Sequence, residues 1–220
     1  MNLSTTLKII AGLPKSVFLN ARYLGLTGII KLPIFVSWRT QFIKLSGRIT
    51  FSAPLSIGMV RIGIGGSGTA SRTPSKLELN GNINFGKGVI LGGGGTLVTV
   101  NSSSHLTIGN DVQITGDTKI LCADEIKIGD DSVISWDCQI MDTDFHSIKV
   151  CGQVMNKNKP IIIGKHCWIG SRCCITKGTV IPDGCIIASD STITKSINQP
   201  NAVYTGMPLR MLQEGVDWER

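Results

Sequence analysis

A chain of 220 residues is long enough to bury a full core, and 42% hydrophobic against 17% charged residues excludes a disordered chain. The net charge of +7 is lopsided, because residues 1–77 hold ten Lys or Arg and no Asp or Glu. That distribution argues against a uniformly basic nucleic-acid binder, so no nucleic-acid partner is expected.

In chain order, residues 1–27 predict a basic helical segment of two short helices broken near Pro14, with Lys8, Lys15 and Arg22 recurring at sevens. Two readings stand for it: a cap on the end of the fold, or a surface that meets an anionic membrane or a lipid-linked acceptor. Charges recur too often for a signal peptide or a membrane span, so the expected location is cytoplasmic, peripheral to the inner face of a membrane at most. Beyond residue 27 the text turns to IIKLPIFVSW, GRITFSAPLSIG and MVRIGIGG, short apolar runs broken by Gly and Pro. The run GIGGSG at 63–68 has the spacing of a dinucleotide-binding turn, but no apolar helical stripe follows it and that fold is rejected.

A six-residue period then takes over. Ile recurs at 108, 114, 120 and 126, shifts by two, continues at 128, 134 and 140, and returns at 163, 169, 175, 181, 187 and 193. Six fits neither a helix of 3.6 nor a strand of two; it fits a short strand plus a corner. Three units close a triangular coil in which Ile163 lies under Ile181 and Ile169 under Ile187, so the expected fold is an all-β parallel β-helix over 28–197, followed by a tail over 198–220. Four residues after each Ile the side chain is small, and Cys138, Cys167, Cys173 and Cys185 all fall there, which reads them as structural. No Cys pair has Cys-x-x-Cys spacing and the three histidines at 105, 146 and 166 are scattered, so neither disulfides nor a metal site is expected.

The pattern stops once. Residues 141–160 are too polar and too long for a corner and predict a projecting loop, which in a regular solenoid is often a functional element. Within it MDTDFHSI sets His146, a side chain that titrates near neutral pH, beside Asp142 and Asp144. Either carboxylate can orient the imidazole, or both can simply shape the turn.

The runs IIIGKHCWIGSRCCITKGTVIPDGCIIASDSTITK and YTGMPLRML, with DTDFH, resemble the hexapeptide-repeat acyltransferases, most closely the branch that O-acetylates bacterial surface glycans. The resemblance covers about residues 108–212. It implies a left-handed coil, a homotrimer with active sites between subunits, and acetyl-CoA as co-substrate with a glycan or lipid-linked glycan as acceptor. It also implies His146 as general base, Trp168 beside acceptor and thioester, Gly170 at the cofactor, and Ser171 at the developing oxyanion through its backbone N–H. Ser189, Thr194, Lys195 and Arg210 are implied along the coenzyme A groove. Where sugar acetyltransferases carry one further basic residue near the chain end, this sequence has the neutral Gln213. Two other readings share the coil: an acyltransferase for a small acceptor such as an amino acid, an antibiotic or a nucleotide-linked amino sugar, and a non-catalytic or metal-dependent β-helix protein.

Overall fold

The computed structural model describes residues 3–65 and 73–220. Gly66 to Gly68 of the glycine run lie outside them. A helix, Leu3–Lys31, opens the chain, and every strand of the coil then goes to the next of three faces. The first face runs from Ile34–Val36 through Val60–Ile62, Val89–Leu91, Gln113–Ile114, Val133–Ile134 and Trp168–Ile169 to Ile186–Ile187. The second ends on Gln139–Met141, Cys174–Thr176 and Thr192–Ile193; the third ends on Glu125–Ile128, Ile161–Ile163 and Val180–Ile181. Pairing within each face is parallel, one coil apart, so the result is a triangular parallel β-helix.

The isoleucines form one ladder per face. Ile114, Ile134, Ile169 and Ile187 pair in order on the first, Ile120, Ile140, Ile175 and Ile193 on the second, and Ile108, Ile128, Ile163 and Ile181 on the third. All are buried, so the core is a thin stack of branched side chains whose geometry suits a strand.

The remaining letters of the repeat are set by the corner. Three residues after the Ile the backbone turns through positive φ, at Asp111, Asp117, Asp131, Asp137, His166, Arg172 and Asp190, with Gly178 and Gly184 doing the same. Aspartate and glycine tolerate that region best. One residue later the small side chain points inward and donates across to the next coil: Ser132 Oγ to Gly164 O at 3.0 Å, Cys138 Sγ to Gly170 O at 3.1 Å, Cys167 Sγ to Pro182 O at 3.1 Å and Cys173 Sγ to Ala188 O at 3.2 Å. Small size alone does not explain the cysteines; a weak donor at that spot satisfies a buried carbonyl. Burial also pushes the Cys122 and Cys185 thiols up, and Cys167 up to about 12, which keeps them protonated and unreactive.

Two boundaries differ from the sequence expectation. The helix passes through Pro14 and breaks instead at Gly25, where φ is 58° and ψ −141°, a conformation that a side chain strongly disfavours. At the other end the first face continues past residue 197, because Ala202–Thr205 pairs with Ile186–Ile187 and puts Ala202 and Tyr204 into the core. Arg210–Glu214 then folds back on it as an antiparallel strand.

The helix covers the exposed edge of the first strand. Asn20 Nδ2 donates to Ile34 O at 2.7 Å while its Oδ1 accepts from Ile34 N at 3.2 Å, and Ser16 Oγ accepts from Val36 N at 2.9 Å. Close approach needs Gly12, since a Cβ there would lie 1.9 Å from Val36 O. Two cations of the seven-residue series also turn to the coil: Lys15 Nζ donates to Thr40 O at 2.5 Å and Arg22 Nη2 to Leu45 O at 3.2 Å. Capping an edge that would otherwise pair with another chain is a physical reason for this helix.

Candidate functional site

The loop over 141–160 leaves the corner between second and third faces, after Gln139–Met141 and before Ile161–Ile163. Its tip is a hairpin, Lys149–Val150 against Gln153–Val154, closed by Cys151 and Gly152, both at positive φ as a tight two-residue turn requires. Its base is tied by three residues. The Asp144 carboxylate accepts from Lys177 Nζ and from Asn156 Nδ2 at 2.8 Å, and Lys177 Nζ also donates to Asn156 O at 2.9 Å. The Lys177 ammonium holds Asp144 below the usual carboxylate range.

His146 hangs on this knot by its backbone, its N–H donating to Asp144 O at 2.6 Å and its carbonyl accepting from Asn156 Nδ2 at 2.8 Å. Its imidazole is exposed and bonds no group among the described residues. It borders a cleft of about 340 Å³ lined also by Asn101, Thr143, Phe145, Ser147 and Asn158.

Neither carboxylate reaches the ring. Asp142 is fully buried and bridges back to the coil below, with Oδ1 accepting from Ala123 N at 2.7 Å and Oδ2 from Asp124 N at 2.8 Å. Burial raises its pKa against the pull of those two donors. The orienting role expected of one carboxylate is therefore corrected for Asp142, which anchors the loop's first residue, while Asp144 is engaged by Lys177 and Asn156.

Gly170 and Ser171 sit at a different corner, between first and second faces. A Cβ on Gly170 would lie 2.5 Å from Ser189 N, so glycine lets the coils close there, and Ser171 Oγ donates to Ser189 Oγ at 3.1 Å. The backbone N–H groups of Gly116, Trp136, Ser171 and Ser189, one above another at this corner, have no acceptor among the described residues. At the corner between third and first faces, the equivalent N–H groups of Lys87, Asn110 and Lys165 are capped by the side chains of Asn110, Asp130 and Asp183. Exposed Trp168 precedes the open corner, with Nε1 3.4 Å from Ser135 Oγ.

Thr194 and Lys195 return to the His146 corner, near the end of the coil. They line a groove of about 670 Å³ with Tyr204, Met207, Leu209 and Met211 between the last coil and the C-terminal hairpin. Arg210 is exposed on the hairpin strand, opposite Thr205, and is not part of that lining. One chain thus brings His146, Thr194 and Lys195 to the corner between second and third faces, Gly170, Ser171 and Ser189 to the corner between first and second, and Trp168 to the first face.

Residues 160–195 match the family described as hexapeptide repeat of succinyl-transferase. The chain is 24% identical over 153 residues to a putative lipopolysaccharide biosynthesis O-acetyl transferase, WbbJ, of Escherichia coli K12, covering 65% of this chain and 77% of that one. It is 31% identical over 114 residues to a putative colanic acid biosynthesis acetyltransferase, WcaF, of the same organism, covering 52% and 61%. The crystal structure of the polySia specific acetyltransferase NeuO superposes with a TM-score of 0.50 at 18% identity, over 86% of this chain and 89% of that one. The chain carries the hexapeptide repeat and is similar to proteins named as acetyltransferases. Its coil has the left-handed β-helix fold that NeuO shares.

Two features of the structure escape sequence reasoning. Lys177 lies 33 residues from Asp144, and nothing in the repeat distinguishes it from a solvated corner residue. His166, one of the three scattered histidines, is a junction for the C-terminal tail. Its Nδ1 meets Asp131 Oδ2 at 2.6 Å, its Nε2 meets Asp217 Oδ1 at 3.1 Å, and its ring stacks on Trp218 at 4.5 Å. Arg220 closes the set on Asp131 at 2.8 Å. The tail is so tied down alongside Trp168, whose ring lies 6.0 Å from Trp218.

Proposed function

We propose that this acyltransferase moves an acetyl group from acetyl-CoA to a sugar hydroxyl of a bacterial surface polysaccharide or its precursor, with His146 as general base. The observation that carries the reading is the His146 loop: a rigidly tied backbone presenting an unpartnered imidazole to an open polar cleft. An acceptor hydroxyl in that cleft gives its proton to the imidazole as its oxygen attacks the thioester carbonyl, and the protonated ring then returns the proton to the departing thiolate, a contribution of about 10²- to 10⁴-fold. The coil spacing of about 4.8 Å puts Thr194 and Lys195 two coils, or roughly 10 Å, from the loop, a span suited to a coenzyme arm lying along the corner. Lys195 supplies positive charge for its phosphates. The open N–H of Ser171 suits a developing oxyanion, but it lies at the other corner of the same chain. The reading therefore includes a homotrimer in which the His146 loop of one copy faces residues 168–171 of the next. The names of WbbJ and WcaF favour a surface-glycan acceptor.

Acetyl-CoA with oligosaccharide acceptors, followed by mass spectrometry, tests this reading. His146→Ala is expected to lower turnover by about 10²-fold or more with oligomeric mass unchanged, whereas His105→Ala costs little. Near-normal turnover in the first variant overturns the assignment.

A further inference from the structure

The helix Leu3–Lys31 is apolar on two opposite sides. One side, carrying Ile9, Gly12, Ser16, Leu19 and Asn20, is buried on the coil. The opposite side, by the 100° step of a helix, carries Leu7, Ile10, Pro14, Val17 and Ala21 without a single charge, and Phe18 at its edge stacks on Phe42 of the coil. Leu7 is 57% and Ile10 56% exposed; past the Gly25 break, Leu26 at 72% and Ile30 at 73% are exposed as well. A helix apolar all round normally has both sides covered. It cannot cross a bilayer, because no helix of the structure is long and apolar enough to do so.

We infer that this outward side lies in the plane of an anionic lipid surface, with its apolar side chains sunk among the acyl chains. The charge around it decides between lipid and protein. Residues 1–77 hold ten cations and no anion, and Lys8, Lys15 and Arg22 border the apolar stripe along one flank. A second copy meeting this patch with its own would oppose cation to cation, whereas anionic headgroups complement it. Because Lys15 and Arg22 point their charged ends at coil carbonyls, the apolar side chains and not those two cations supply the grip. The inference does not depend on the acceptor or the catalytic base, and its test reads no activity.

The full chain is sedimented with vesicles of phosphatidylcholine alone or with phosphatidylglycerol. Binding is expected to be stronger with the anionic lipid and to weaken with salt. The double variant Leu7→Ser, Ile10→Ser is expected to bind at least about tenfold more weakly at low salt, with its oligomeric mass unchanged. A second variant, Ile10→Trp, adds an indole on the outward side, and brominated phosphatidylglycerol is expected to quench the added fluorescence. Absence of binding at low salt, parental binding by the double variant, or an unquenched added signal overturns the proposal. A change of oligomeric mass in the double variant also overturns it, and assigns the face to contact between copies.

Discussion

At the scale of single residues, two aspartates two positions apart in MDTDFHSI do different work because one is buried and the other is not. Asp142 accepts from two backbone N–H groups of the preceding coil, and Asp144 pairs with Lys177 and Asn156 in the base of the loop. Asp142→Asn keeps the shape but turns an amide N–H toward a backbone N–H, leaving a buried donor without an acceptor. We expect it to lose about 1–3 kcal/mol of stability, with turnover per folded enzyme close to the parent. Denaturant unfolding beside kcat checks this; unchanged stability with collapsed kcat would return Asp142 to the imidazole. Spacing puts His146 in the break of the repeat, but it carries no information about which carboxylate folds inward. That depends on the corner backbone at Ala123 and Asp124, nineteen and eighteen residues earlier.

At the scale of elements, the repeat was readable because one pattern recurs at most corners: an Ile in the core, a positive-φ residue three on, a small inward side chain four on. The Ile ladders pair as the six-residue period demands. What was not readable comes from contacts made once. Asn20 and Ser16 cap the Ile34–Val36 edge, Gly25 and not Pro14 interrupts the helix, and His166 receives a tail that ends 54 residues later. His166 faces Asp131 and Asp217, with Arg220 on Asp131, and its pKa is raised, first by the Asp131 hydrogen bond. A raised value in the folded protein means that the charged contact contributes in full below the ordinary histidine value of about 6.5 and is lost as pH rises through the folded value. The expected outcome is an NMR titration midpoint for His166 above that ordinary value, falling in Asp131→Asn. The stability difference between parent and variant should be larger at acid than at alkaline pH; a gap that widens with pH would contradict the junction.

At the scale of the molecule, a three-sided coil separates the functional residues. The His146 loop and the Thr194 and Lys195 groove share one corner, while Ser171, with its open N–H, occupies another and Trp168 the face leading to it. The proposed three-fold association would bring unlike corners together without rearranging any chain, and would give the apolar end helix of each copy the same orientation. The central claim is that each active site is built from the loop of one copy and residues 168–171 of the next. It is tested most directly by refolding His146→Ala and Trp168→Ala variants together and measuring acetyl transfer against each variant refolded alone. Cyclic trimers assembled at random from equal amounts contain unimpaired sites at about one quarter of positions, so activity of roughly that fraction of the parent is the predicted result. Activity no higher than the average of the two variants alone would contradict the shared site.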